Sequence, residues 1–172
     1  MSVDLRYNGK NMRWDGPLSY HQLNYRDRDQ QNRHFDAAVA LMPSDWSGKI
    51  LDVGCGYGDF TGRIPKELRT QYLGIDINKE VIQAAKELNP GWKFKWQKKI
   101  VPAEIIVCIA TVSAHIESPR KMMADIWENC GRAAIFTMYD GHCPMETVIS
   151  WCPVQPNVIA YGQDVSAWAF YK

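Results

Sequence analysis

The chain has 172 residues, of which 46% are hydrophobic and 23% charged, and its formal net charge is +1. That length fits one domain and can bury about 70% of its unfolded surface without disulfides. The balance excludes global disorder, collagen, a coiled coil, a basic nucleic-acid coat and an acidic tail, while leaving room for a local patch.

The opening residues, MSVDLRYNGK, carry no apolar segment of the secretory kind. The most apolar stretch, Ile105 to Val112, falls far short of the ~20 residues a membrane helix needs. The five cysteines are scattered and form no CxxC pair, which fits a reducing, cytoplasmic setting.

Residues 1–26 show no period and read as an irregular arm. From Asp27 to Leu41 the pattern is helical, with Phe35, Ala38, Val39 and Met42 on one face and Pro43 as the stop. Lys49 to Val53 is a short apolar strand running into a glycine-rich turn. Thr61 to Arg69 reads as a short helix that Pro65 disturbs or starts. Gln71 to Ile77 is a second strand, and Asn78 caps a helix whose stripe is Val81, Ile82, Ala85 and Leu88. Trp92 to Gln97 alternates, which predicts a half-buried strand with Trp92, Phe94 and Trp96 inward. Glu104 to Ala110 is a continuous apolar run, as in a central strand covered on both faces. Ser118-Pro119 opens a helix striped by Met122, Met123, Ile126 and Trp127. Arg132 to Met138 is the next strand, Met145 to Trp151 one helical turn, and the C-terminal residues two strands around a Gly-Gln-Asp turn. Strands alternating with helices predict an α/β fold: a mostly parallel sheet, helices on both faces, and an antiparallel hairpin at one edge.

The turn Asp52-Val-Gly54-Cys55-Gly56-Tyr-Gly58 leaves a strand and enters a helical segment, the context in which alternating glycines imply a ligand. A dinucleotide fingerprint, GxGxxG, would need glycine where Asp59 stands. Asp52 offers the ligand a carboxylate, which suits an amine better than a pyrophosphate. Asp76, ending the second strand, is placed to hold ribose hydroxyls. An amine at one end and a ribose at the other describe S-adenosylmethionine.

ILDVGCGYGDF followed by YLGIDIN resembles motifs I and II of the class I S-adenosylmethionine-dependent methyltransferases, and AEIIVCIATVSAHIESP is similar to their central strand and the loop after it. The resemblance covers about residues 27–172, leaving the arm as a cover for the site. It implies a Rossmann-like sheet of seven strands in the order 3-2-1-4-5-7-6. It places Asp52, Gly54, Cys55 and Gly56 at the methionine end, Asp76 on the ribose and Ile77 on the adenine. Ile109, Ala110 and Thr111 would pass under the sulfonium. The acid that often reads the adenine amine is missing from FKWQKK, where Gln97 is the substitute. Tyr25, Arg28 and Arg33 are candidates for the methionine carboxylate or an acidic acceptor.

Beyond the strand ends lie Thr111, Ser113, His115, Tyr139, Asp140 and His142. His115 is the base candidate by type, with Tyr139 and Asp140 directly after a strand. His142, Cys143 and Cys152 match no common metal spacing, so no metal is expected. Residues 61–100 hold nine Lys/Arg against four Asp/Glu, with Lys93, Lys95, Lys98 and Lys99 among aromatics. The pattern fits either a lysine-protected sheet edge or a nucleic-acid surface. The (D/N)PP(Y/F) tetrapeptide of amino-methylating DNA enzymes is absent, ATVSA standing in its place. A small-molecule acceptor is therefore expected. A nucleic-acid methyltransferase and a non-catalytic cofactor binder are the alternatives. No feature of the pattern points to a membrane or specifies an oligomeric state.

Overall fold

The computed structural model describes residues 25–112, 118–139, 144–162 and 164–172. Five strands run parallel: β1 (Ile50–Val53), β2 (Tyr72–Asp76), β3 (Phe94–Trp96), β4 (Ala103–Ile109) and β5 (Cys130–Tyr139). β6 (Val158–Gly162) and β7 (Val165–Tyr171) form a hairpin, with β7 antiparallel to both β5 and β6. The sheet order is β3-β2-β1-β4-β5-β7-β6, the order the sequence resemblance implies.

Four α-helices cover the sheet: α1 (Arg28–Ala40), α2 (Lys79–Leu88), α3 (Pro119–Asn129) and α4 (Met145–Trp151). Alternate strand residues feed two cores. Ile50, Ile105, Val107 and Ile135 pack with Phe35 and Ala38 of α1 and Ile82 of α2. Leu51, Val53, Ile106 and Phe136 pack with Met123 and Ile126 of α3 and Val148 of α4. β4 is apolar and buried from Ile105 to Ile109 because both faces are covered there.

Asp27 caps α1 by accepting from the Gln30 backbone N–H at 2.6 Å, and Gln30 accepts from the Arg26 N–H at 2.7 Å. These two bonds satisfy N–H groups at the helix start. Asn78 caps α2 as expected, accepting from the N–H groups of Glu80 and Val81.

Three expectations need correction. Leu88, expected on the apolar stripe of α2, is 48% exposed, because it is the last residue of that helix. The segment Thr61 to Arg69 is not one α-helix but two 3-10 turns, Asp59–Arg63 and Lys66–Leu68. Pro65, extended at φ −51° and ψ 133°, separates them. Trp96, expected inward with Phe94, is 56% exposed. β3 has only three residues, and at its end the indole turns to donate to the Ile77 carbonyl at 2.9 Å. No helix among the described residues is long and apolar enough to cross a membrane.

Candidate active site

The carboxyl ends of β1, β2 and β4 meet at one edge of the sheet, where ligands bind in open α/β folds. Gly54, Gly56 and Gly58 have φ of 76°, 54° and 79°, the left-handed region that L side chains rarely adopt. Gly54 is also a close approach. A Cβ there would lie 2.3 Å from Thr111 Oγ1. The Gly54 and Cys55 N–H groups bond to the Ile75 carbonyl at 2.9 and 3.0 Å, which ties the turn to β2.

Asp52 is buried and accepts from the Tyr72 hydroxyl at 2.8 Å. Burial pushes its carboxyl up to about 7; the Tyr72 bond opposes the rise and the nearby Asp76 charge adds to it. Asp76 is buried too, accepting from the Gly56 N–H at 3.2 Å and the Asn78 N–H at 2.9 Å. Each of its oxygens thus faces a backbone donor. Ile77, next along, is 51% exposed and forms an apolar ledge beside the pinned Trp96 ring. Gln97 sits on the same rim, its amide nitrogen donating to the Lys99 carbonyl at 2.6 Å.

Ala110 has φ 52°, a left-handed conformation that costs a non-glycine residue about 1–2 kcal/mol. It is held by a forked hydrogen bond. Its N–H donates to the Thr137 carbonyl at 3.0 Å and to Thr137 Oγ1 at 3.1 Å. The same hydroxyl lies 2.8 Å from His34 Nδ1 on α1. A fully buried histidine thus links the N-terminal helix, through Thr137, to the strained turn after β4. Thr137→Val removes that link from a buried site. The loss is expected to cost about 1–3 kcal/mol in a urea titration, with Thr137→Ser retaining most of it.

The ring of His34 meets Tyr139 edge-on at 4.6 Å and Tyr25 at 5.5 Å, and Tyr25 lies 5.9 Å from Tyr139. Burial pushes the phenols of Tyr25 and Tyr139 well up. One turn earlier on α1, Gln31 donates to Asp59 at 3.0 Å and Arg28 pairs with Asp59 at 3.7 Å. Arg33 faces the hairpin, donating to Asp164 at 3.3 Å.

The structure therefore brings together Asp52, Gly54, Cys55, Gly56, Asp76, Ile77, Gln97, Ile109, Ala110 and Thr111 along one rim. His115 and Asp140, with Ser113, His142 and Cys143, lie outside the described residues, as does the arm through residue 24. Gln31, His34, Thr137 and Asp164 were not singled out by the sequence. Gln31 and His34 sit one turn apart with Phe35 and Ala38, so the helical period could have found them had polar residues been admitted to the buried face.

Residues 45–100 match a family model described as a methyltransferase domain. No curated protein matches the chain. Among solved structures, a TehB-like S-adenosylmethionine-dependent methyltransferase from Corynebacterium glutamicum is 20% identical, with 89% of this chain and 98% of that one covered and a TM-score of 0.62. The N-methyltransferase NodS from Bradyrhizobium japonicum, bound to S-adenosyl-L-homocysteine, is 18% identical over 97% of this chain and 95% of that one, with a TM-score of 0.65. Magnesium protoporphyrin IX methyltransferase from Synechocystis, bound to S-adenosylmethionine, is 14% identical over 90% and 85%, with a TM-score of 0.62. In fold and strand order this chain is similar to these S-adenosylmethionine-dependent methyltransferases, and the segment 45–100 matches the methyltransferase-domain model. The matched family description names no acceptor.

Proposed function

We propose that the protein transfers the methyl group of S-adenosylmethionine to a small-molecule acceptor in the cytoplasm, from one domain (27–172) that the arm (1–26) covers. The observation carrying this reading is the pairing of two buried carboxylates, Asp52 and Asp76, across a glycine turn held in the left-handed region. This donor set fits the cofactor's chemistry. An ammonium suits a buried carboxylate that nothing cationic neutralises among the described residues, and ribose hydroxyls suit Asp76. Gly54 and Gly56, with Cys55, leave the backbone open for the methionine end, and Ile77 offers an apolar seat for adenine. Gln97 has its amide oxygen to read the adenine amine. Ile109, Ala110 and Thr111 form the floor under the reacting centre.

S-adenosylmethionine, when bound, supplies an electrophilic methyl whose carbon–sulfur electrons return to sulfur as the acceptor's lone pair forms the new bond. The chain's task is mainly alignment. Tyr139, kept as a neutral phenol by burial, is a hydrogen-bond donor that orients the acceptor rather than a base. His115 and Asp140 are the candidates for removing a proton where the acceptor carries one. The lysines from Lys93 to Lys99 flank β3, a three-residue strand at the sheet edge, where they blunt unwanted pairing. The alternative of a nucleic-acid substrate has less support for that reason.

Calorimetry with S-adenosylhomocysteine tests the cofactor half; absence of a binding heat ends this reading. Labelled methyl transfer into host extract, separated into small molecules, nucleic acid and protein, tests the acceptor class, and label is expected in the small-molecule fraction. The triple variant His115→Ala, Tyr139→Phe, Asp140→Asn is expected to lose turnover by at least about 10²-fold while keeping the cofactor. A non-catalytic binder has no turnover to lose.

A further inference from the structure

Helix α1 and the residue before its cap send cations in two directions. Arg28 goes with Gln31 to Asp59, beside the glycine turn, whereas Arg26 and Arg33 go to Asp164 in the β6–β7 turn. The register pairs Tyr139 with Val165, so Asp164 stands beside the end of β5. Along β1-β4-β5-β7 that is three strand spacings from Asp52, about 14 Å at the usual separation. The Arg33 guanidinium therefore lies well to the acceptor side of the cofactor carboxylates.

Its hydrogen bonding is incomplete. The Nη2 group donates to Asp164 Oδ2 at 3.3 Å, while Nε is buried and has no acceptor among the described residues. Nε and Nη2 form one edge of a guanidinium, the edge that a carboxylate grips with two parallel bonds. Asp164 supplies one oxygen to that edge because the same Oδ2 is also held by Arg26 Nη2, at 3.0 Å. Arg26 is in turn held by Asp27 through Nε at 2.8 Å. A buried donor left without an acceptor is costly, and a two-oxygen anion would satisfy it. Asp164 could yield its longer bond to Arg33 and keep the shorter one to Arg26.

We infer that Arg33 reads a carboxylate on the methyl acceptor, with Asp164 standing in for that carboxylate when no acceptor is bound and Arg26 anchoring Asp164. The inference rests on the methyltransferase reading above. It assigns Arg33 to the acceptor rather than to the cofactor's own carboxylate, and it makes the acceptor an organic acid. The rings of Tyr139, His34 and Tyr25 cluster at the same end of β5, where Tyr139 pairs with Val165 next to Asp164, and suit an acid with an apolar body.

The test is an NMR titration of the arginine Nε–H signals in protein already saturated with S-adenosylhomocysteine. Benzoate is the probe, benzyl alcohol the uncharged control and sodium chloride the control for ionic strength. The Arg33 signal is identified by its loss in Arg33→Lys. Benzoate is expected to move it saturably, and neither control is. Asp164→Asn removes the competitor and is expected to tighten benzoate at least threefold. Arg26→Gln lets Asp164 fall onto Arg33 and is expected to weaken benzoate. A shift that does not saturate, or that chloride reproduces, overturns the inference. So does a benzoate response that appears only without S-adenosylhomocysteine, because Arg33 would then be serving the cofactor. Calorimetry on the same sample keeps the two readings apart: a cofactor heat without a benzoate response removes the organic-acid assignment alone.

Discussion

Gly54→Ala is expected to abolish measurable cofactor binding and to cost about 2–5 kcal/mol of stability. Two effects add. The backbone at φ 76° strains any L side chain, and the new Cβ would lie 2.3 Å from Thr111 Oγ1 and 2.6 Å from its Cγ2. Thr111 has little freedom to give way, since its hydroxyl bonds to the Ile109 carbonyl at 3.1 Å in the turn after β4. The clash therefore reaches Thr111 and moves the segment proposed to lie under the methyl group. Adding Thr111→Ala to Gly54→Ala removes the two worst contacts and is expected to return part of the stability. A urea titration reads the stability and calorimetry with S-adenosylhomocysteine reads the site. A Gly54→Ala protein that binds within threefold of the parent would show that the close approach is incidental.

The second large effect concerns charge. Asp52 has its carboxyl pushed up to about 7 from the ordinary 3.8, chiefly by burial. An acid whose folded value is raised holds its proton more tightly in the folded state. The contribution of this group to folding stability is therefore greatest below about 4 and is lost as pH rises towards and through 7. Roughly three pKa units correspond to about 4 kcal/mol at the upper bound. Asp52→Asn keeps the shape and the acceptor for the Tyr72 hydroxyl but removes the charge. It is expected to be the more stable protein at pH 8, by about 2–4 kcal/mol, and to show a flatter melting profile between pH 5 and 8. It is also expected to bind S-adenosylhomocysteine at least tenfold less well, having lost the partner for the ammonium. In the parent, affinity should fall as pH drops below 7, because the ligand amine must then displace a proton. Parallel pH–stability curves for the two proteins would remove the carboxylate from this account.

Most of the fold was legible because it depends on period and on turn residues. The continuous run in β4, the Asn78 cap and the Pro at the start of α3 each act over a few neighbouring residues. The clustering of the proposed cofactor residues was legible for the same reason: Asp52 and Asp76 are tied by local pattern to the ends of apolar strands. The contacts on the proposed acceptor side were not. His34 meets Thr137, and Arg33 meets Asp164, across 103 and 131 residues of chain. Such contacts come from packing α1 over β5 and β7, which no short window contains. Trp96 misled because β3 is an edge strand that ends at that residue, so its last side chain is 56% exposed although it pairs with Asp76.

The segment after the glycine turn bears on ligand choice. In nucleotide-binding folds an α-helix starts there and sums its peptide dipoles into about half a positive charge over the ligand, worth about 0.3–2 kcal/mol to an anion. Here two short 3-10 turns parted by Pro65 take its place, with Asp59 in the first of them. Peptide units in so short and broken a stretch do not add up to such a field. A pyrophosphate placed on this turn forfeits its usual electrostatic welcome. A sulfonium or an ammonium escapes the repulsion that an aligned helix end would impose. The proline break thus tilts the site towards a cation by leaving a field out.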